Sequence, residues 1–346
     1  MSSSFGTFRE GKDIEGGFMR IAVDGYGGDH SPFEVVKGAC EALRLDPTLE
    51  IVLTGKTEEM LSIAGGETFG GRLTMCPANE VISCEETPTL AIRRKKESSL
   101  VVALDLVEKG EADALVSAGS TGAVLIGATL KIGRLEGVER PALAPALPTV
   151  TGGKVILCDC GANVDCKPSY LVGFAKMASA YAKGVFGVET PRVALLNNGA
   201  ESAKGNAFSV EAYHLLSEAA DIRFVGNVEA RDILSGNVDV VVADGFDGNI
   251  ALKSAEGTAN AVFSLLKEKV NGSFRAKLGA LLLKPIFKEL KKTLDYNEQG
   301  GAAFLGVKKP VVKAHGASKA KSICGAILQA RDMVLGGVCE MVSKGE

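Results

Sequence analysis

The sequence predicts an α/β fold, a mostly parallel sheet flanked by helices, and three observations carry that expectation. Apolar runs of strand length alternate with segments of helix length from Met19 onward. Glycine is abundant, 42 of 346 residues, against a usual share of about 7%. The polar clusters follow the apolar runs instead of interrupting them. Repeated strand–turn–helix units make a parallel sheet covered by helices. Such sheets bind ligands where loops gather at the carboxyl ends of the strands.

The elements follow in order. Residues 1–18 are polar, Gly-rich and aperiodic, and read as a disordered extension. Residues 20–24 are a short buried strand before a Gly-rich turn, and 32–43 a helix with proline in its first turn. Residues 51–54 and 73–76 are strands, and 98–108 a helix ending near Gly110. The strand 114–117 leads through Gly119-Ser120-Thr121-Gly122 into an apolar helix over 123–132. Strands at 154–159 and 192–196 enclose a long helix over 169–185. Residues 222–225 and 238–243 are strands, with a helix over 249–269 after the second. The segment 278–294 is basic, apolar and interrupted by Pro285, and a last helix runs over 318–342.

Composition narrows the function. With 46% hydrophobic and 23% charged residues and 11 Pro, the chain is neither disordered nor collagen-like. A net charge of −3 lacks the basic footprint of a nucleic-acid binder. Eight Cys with no apolar leader read as free thiols in a reducing cytoplasm. No run of 18 apolar residues is present to span a membrane, which leaves surface attachment open.

Six clusters are candidates for chemistry. Asp24-Gly-Tyr-Gly-Gly-Asp29-His30 and Ser117-Ala-Gly119-Ser120-Thr121-Gly122 are strand-to-helix turns whose small residues and amides suit an anion; an ordinary turn with an Asp, Ser120 or Thr121 cap reads equally well. Asp159-Cys-Gly-Ala-Asn163-Val-Asp165-Cys-Lys167 closes another strand. Its Cys158, Cys160 and Cys166 lack CxxC spacing and read as buried thiols, not a metal site. If the strand runs on to Cys160, Cys158 and Cys160 face one side and Asp159 the other. In Asn197-Asn-Gly-Ala-Glu-Ser-Ala-Lys204-Gly-Asn206 the lysine offers a point charge for phosphate. Asn249, opening a helix, offers an amide N–H to a developing oxyanion, or else caps that helix. Lys313-Ala-His315-Gly316 lies near the end.

Two further segments suit surfaces. The run Arg93-Arg94-Lys95-Lys96, followed by Ser98 and Ser99, suits an acidic protein or a merely solvated face. Leu281, Leu282, Leu283, Ile286 and Phe287 stand beside Lys284, Lys288, Lys291 and Lys292, a composition suited to anionic lipid or to a core helix. There is no GxGxxG, GxxxxGK[ST], GxSxG or HExxH.

Taken in order, VDGYGGDHSP, RRKKESS, SAGSTGA, RPALAPALPT, GANVDCKP, KGN, FVGNVEARD, DGFDGN and KAHG resemble the phosphate acyltransferase (PlsX) family, the acyl-carrier-protein:phosphate acyltransferases of phospholipid synthesis, over residues 19–344. Gly25-Tyr26 departs from the family's usual Ala-Met, and residues before Met19 are normally absent from it. The resemblance implies a fold like the isocitrate/isopropylmalate dehydrogenases and the phosphotransacetylases, one unit over 19–346 in two lobes with a cleft. It implies a homodimer without cofactor or metal that converts fatty acyl-carrier protein and inorganic phosphate to acyl phosphate and free carrier protein. The family's important Lys and Asn fall on Lys204 and Asn249. The implied phosphate and substrate groups are Asp29, His30, Ser117, Gly119, Ser120, Thr121, Gly122, Asn163, Asp165, Lys167, Asn197, Asn206 and His315, with Arg93–Lys96 toward the carrier protein. Loose attachment to an anionic membrane through residues 278–294, and delivery of acyl phosphate to a membrane glycerol-3-phosphate acyltransferase, complete the expectation.

The expected mechanism is direct attack of phosphate on the thioester carbonyl; an acyl-cysteine on Cys158, Cys160 or Cys166 is the rival. A coenzyme A-dependent short-chain enzyme, a metal- and NAD-dependent decarboxylating dehydrogenase, and a non-catalytic membrane scaffold remain open as alternatives.

Overall fold

The computed structural model describes residues 18–287, 290 and 300–345. Residues 1–17 of the expected extension, Lys288, Lys291 and Lys292 lie outside the described residues.

Eleven described strands form one sheet: β1 Met19–Asp24, β2 Leu49–Gly55, β3 Leu73–Pro77, β4 Ala114–Ser117, β5 Ala142–Pro148, β6 Lys154–Cys158, β7 Val193–Asn197, β8 Phe224–Glu229, β9 Val240–Val242, β10 Ala302–Leu305 and β11 Val311–Lys313. Their order is β3-β2-β1-β4-β11-β10-β5-β6-β9-β7-β8. Seven of the ten described pairings are parallel. The three antiparallel ones are β11–β10, β10–β5 and β5–β6. The central strands are apolar on both faces, as a helix-covered sheet requires: all of β4 and all but Arg20 of β1 are buried. The main core runs along one face and centres on helix Pro168–Phe186, whose Phe174 and Tyr181 are fully buried. Two smaller cores cover the other face.

Three expectations change. The parallel sheet does not continue unbroken, because β5 and β10 enter its middle and the β5–β6 pairing reverses the direction of β6, β9, β7 and β8. The carboxyl ends of the two halves therefore lie on opposite edges of the sheet, instead of gathering every loop at one. Second, the strand at 154–159 stops at Cys158, so alternation does not carry across to Cys160. Cys158 packs in the main core and Cys160 in a smaller core with Val155 and Leu157. Third, the last helix is two, Ala320–Leu335 and Val338–Lys344, bent by 42°. Gly337 adopts φ 61° at the break, a conformation that suits glycine.

Helix Ala320–Leu335 is held against helix Phe33–Leu45 by charge as well as by packing. Arg331 lies 2.6 Å from Asp46 and 2.6 Å from Asp332, with side-chain exposures of 12%, 11% and 23%. Removing one partner of a buried pair strands the other charge, at a cost of about 3 kcal/mol or more. Arg331→Met is therefore expected to lower the urea midpoint well below wild type; an unchanged midpoint would show that the pair contributes nothing.

Candidate functional site

Three loops meet at the carboxyl edge of β1, β4 and β11, and a buried carboxylate joins the first two. Asp24, 2% exposed, accepts the Ser117 hydroxyl at 2.7 Å and the Tyr26 amide at 3.3 Å. Ser117 Oγ in turn accepts the Gly119 amide at 3.0 Å. Burial pushes the Asp24 carboxyl up, while hydrogen bonds from Ser99 and Ser117 pull it back. Only glycine fits between the loops: a Cβ on Gly27 would stand 2.6 Å from Asp24 Oδ2 and 2.7 Å from the Gly119 nitrogen. The β11 loop closes the cluster, with the Asp29 amide donating to the Gly316 carbonyl at 2.8 Å. Asp24 is thus a clamp between strands, not a helix cap. Helix Phe33–Leu45 begins after Pro32 with no side-chain cap.

This geometry spends some expected ligands and frees others. Ser117 is fully buried and committed to Asp24, and the Gly119 amide to Ser117. Ser120 occupies the N-cap position of helix Thr121–Gly127 without a capping bond, so its hydroxyl is available. Thr121, exposed, and Gly122, half-buried, follow it. Asp29, His30 and His315 are exposed beside the cluster, and His315 Nδ1 accepts the Ala317 amide at 3.2 Å. Burial, then Lys253 and Lys313, lower the His315 pKa. Tyr26 turns away from the site: its hydroxyl bonds Glu59, and a Cβ on Gly55 would stand 2.4 Å from its ring.

A second cluster forms at the carboxyl ends of β6 and β9. Asp159, fully buried, accepts the Leu143 amide at 2.8 Å, the Asn163 amide at 2.6 Å and Asn163 Nδ2 at 3.0 Å. Asn163 Nδ2 also donates to the Pro141 carbonyl at 2.8 Å, so its side chain braces the loop. The long helix begins at Gly245, four residues before the expected Asn249, and its cap is Asp244, which accepts the Phe246 and Asp247 amides at 2.8 and 2.9 Å. Asn249 is exposed and not the cap; its side chain lies beside Gly161. Burial drives the Cys158 and Cys160 thiols well up and Cys166 to about 11. All three are protonated near neutrality, which makes them poor nucleophiles. Asp165 and Lys167 are exposed on the same loop. Among the described residues, no group of three or more His, Cys, Asp and Glu is placed to hold a metal ion.

Lys204 stands apart from the first cluster. Its strand, β7, is separated from β4 by five others, about 29 Å along a sheet with ~4.8 Å between strands. Lys204 is exposed, with its stem over Gly199. Asn197 Nδ2 donates to the Lys204 carbonyl at 3.0 Å, and Asn206 caps helix Ala207–Glu218 through the Ser209 amide at 2.9 Å. Both asparagines therefore shape the loop. What connects the two halves is helix Gly245–Asn271, whose Lys253 is among the charges acting on Lys313, His315 and Cys160.

The surface segments separate as well. Arg93, Arg94 and Lys96 are exposed, and Arg93 and Lys96 line a depression of about 380 Å³ with Ile92, Asp105, Leu130 and Lys131. Lys95, half-buried, is tied to Val81 O at 2.7 Å and Glu86 at 2.8 Å, and Ser98 and Ser99 are buried, so these three are engaged or covered within the chain. Leu281, Leu282, Leu283 and Ile286 are 64%, 76%, 45% and 58% exposed, Phe287 is half-buried, and helix Phe274–Leu282 has no buried residue. No single helix among the described residues is long and apolar enough to cross a membrane.

The fatty acid synthesis protein family matches residues 19–341. A phosphate acyltransferase of Bacillus cereus (strain G9842) is 50% identical over 325 residues, 94% of this chain and 97% of that one. Among solved structures, a phosphotransacetylase from Streptococcus pyogenes superposes with a TM-score of 0.63 at 19% identity, covering 92% of this chain and 94% of its own. A 4-hydroxythreonine-4-phosphate dehydrogenase from Klebsiella pneumoniae gives 0.52 at 12% identity, covering 92% and 99%. At these identities the two structures establish the fold.

The three-loop cluster predicts its own most sensitive position. Gly27→Ala has to push the β1 and β4 loops apart, an overpacking cost of about 1–3 kcal/mol. It is expected to lower the melting temperature and the activity together. A variant with wild-type stability and turnover would show that the loops need not touch.

Proposed function

Because the chain belongs to the phosphate acyltransferase family, we propose that it moves a fatty acyl group from the thioester of acyl carrier protein to inorganic phosphate, in phospholipid synthesis. A phosphate oxygen forms the new bond to the carbonyl carbon, the carbon–sulfur bond breaks, and the phosphate proton ends on the released carrier thiol. The observation that best supports an anion here is the Ser120–Thr121 turn, with an uncommitted hydroxyl beside glycines at a strand end. Phosphate is already anionic at neutral pH, so the reaction asks for positioning more than deprotonation. The raised thiol pKa values support direct attack over an acyl-cysteine.

In this reading the Ser120–Gly122 turn holds the phosphate, while Lys204, on the exposed loop after β7 and too far along the sheet to reach that turn, serves the thioester side with Asn249. Asn249 donates its amide to the carbonyl oxygen as that atom gains charge. Asp29, His30 and His315 rim the site, and Asp165 and Lys167 border the second cluster. Arg93, Arg94 and Lys96 receive the acidic carrier protein. The exposed Leu281–Ile286 surface rests on an anionic membrane from the cytoplasmic side, where the acyl phosphate passes to a membrane glycerol-3-phosphate acyltransferase. The apolar stripe Val262, Leu265 and Leu266 on the outer part of helix Gly245–Asn271, exposed 58%, 58% and 37%, favours a homodimer in which a second copy covers it.

The direct test is thiol release from acylated carrier protein with and without phosphate. Release is expected to require phosphate; equal release without it would refute an acyl transfer to phosphate. Asn249→Ala is expected to lower kcat about 100-fold, and Lys204→Ala to lower kcat/KM for the acylated carrier protein about tenfold. Full activity in either variant removes that residue from the mechanism. The carrier-protein KM is expected to rise with added salt, and more steeply in wild type than in Arg93→Glu. A salt-independent KM would count against the basic face.

A further inference from the structure

We propose that Lys313, the last residue of β11, is the cation that binds orthophosphate at the meeting of the three loops. The inference rests on the phosphate-acceptor reading above and gives it a specific residue. Lys313 is paired in register with Ser117 across β11 and β4, and Ser117 is hydrogen-bonded to Asp24 at the end of β1. Three neighbouring strands thus end in one row of polar side chains, each of them buried. Gly316, three residues past Lys313, receives the Asp29 amide, and a Cβ on Gly28 would stand 2.9 Å from its carbonyl. The ammonium group is therefore held where the Gly27–His30, Ser117–Thr121 and His315–Gly316 segments converge.

An ammonium group has three donors, and the hydrogen bond found for Lys313 goes to the Ala314 carbonyl. Among the described residues it enters no ion pair. Asp24 lies within electrostatic reach of it but forms no ion pair with it among the described residues; its oxygens accept instead from Ser117 and the Tyr26 amide. A buried cation with no counter-charge in contact is costly, and a bound dianion would remove that cost. Burial accordingly lowers the Lys313 pKa to about 8. The groups acting on it are Asp24 and Asp29 from the β1 loop, Cys84 from the 79–87 loop and Lys253 from helix Gly245–Asn271, with His315 on its own loop. At pH 7 the amine is mostly charged, and it loses the charge as pH rises past 8. Phosphate is already a dianion there, so weaker binding above pH 8 would come from the lysine.

The test is the phosphate dependence of thiol release at saturating acylated carrier protein, at pH 7 and pH 9. The wild-type phosphate KM is expected to rise several-fold at pH 9. Lys313→Arg, whose guanidinium stays charged, should keep a near-wild-type phosphate KM that does not change with pH. Lys313→Met should raise the phosphate KM by about tenfold or more at pH 7, with the carrier-protein KM unchanged. If Lys313→Met does not fold, the pH response of Lys313→Arg decides the matter alone. A wild-type phosphate KM in Lys313→Met, or a pH response that Lys313→Arg leaves intact, would overturn the assignment while leaving phosphate as the acceptor. Phosphate-independent release in wild type would overturn the acceptor reading itself.

Discussion

The buried carboxylate of Asp24 sets the constraint from which the candidate site follows. A carboxylate taken out of water is tolerated only when donors surround it, and here these come from its own turn and from Ser117 at the end of β4. Satisfying that charge pins the β1 loop to the β4 loop at a spacing that excludes a side chain at Gly27. Register carries the constraint on to β11, where Lys313 pairs with Ser117. A stretch of backbone rich in glycine and serine is thereby fixed in place beside an ammonium group. Such preorganisation is what recognition of a small anion requires, since flexible donors would lose affinity in ordering themselves.

The insertion of β5 and β10 into the middle of the sheet has a chemical consequence. By reversing β6, β9 and β7, it assigns the polar loops to two groups, one around Asp24, Ser117 and Lys313 and one around Asp159, Asn163 and Asn249. Helix Gly245–Asn271 spans the two, bringing Asn249 beside the Gly161 turn and Lys253 within electrostatic reach of Lys313 and His315. A reaction that joins an anion to a bulky thioester is well served by two walls that each hold one reactant. The three thiols nearest the second wall are buried and protonated, which favours the proposed direct attack by phosphate over an acyl-cysteine.

Much of this was legible in the sequence. Apolar runs such as ALVS and KVILC marked strands, and the turns after them marked the loops that bear function. The strands that decide the topology were not legible. Ala142–Pro148 carries Pro145 and Pro148, which argue against a central strand, and Ala302–Leu305 and Val311–Lys313 are too short for a periodic signal. Residue type identified the polar candidates but not their commitments. Ser117, Asn163, Asn197 and Asn206 all belong to the right loops, yet their hydrogen bonds are spent on neighbouring backbone or on Asp24. Lys313 was visible as part of KAHG, while its burial depends on strands far away in the chain. The one available signal was a lysine closing the apolar run PVV at a strand end.

The most direct measurement is a crystal structure of the protein with orthophosphate bound. The account predicts the anion in contact with the Lys313 ammonium group and the Ser120–Thr121 turn, with the Asp24–Ser117 hydrogen bond intact. Phosphate held at the Lys204 loop instead, with Lys313 still turned onto the Ala314 carbonyl, would contradict it.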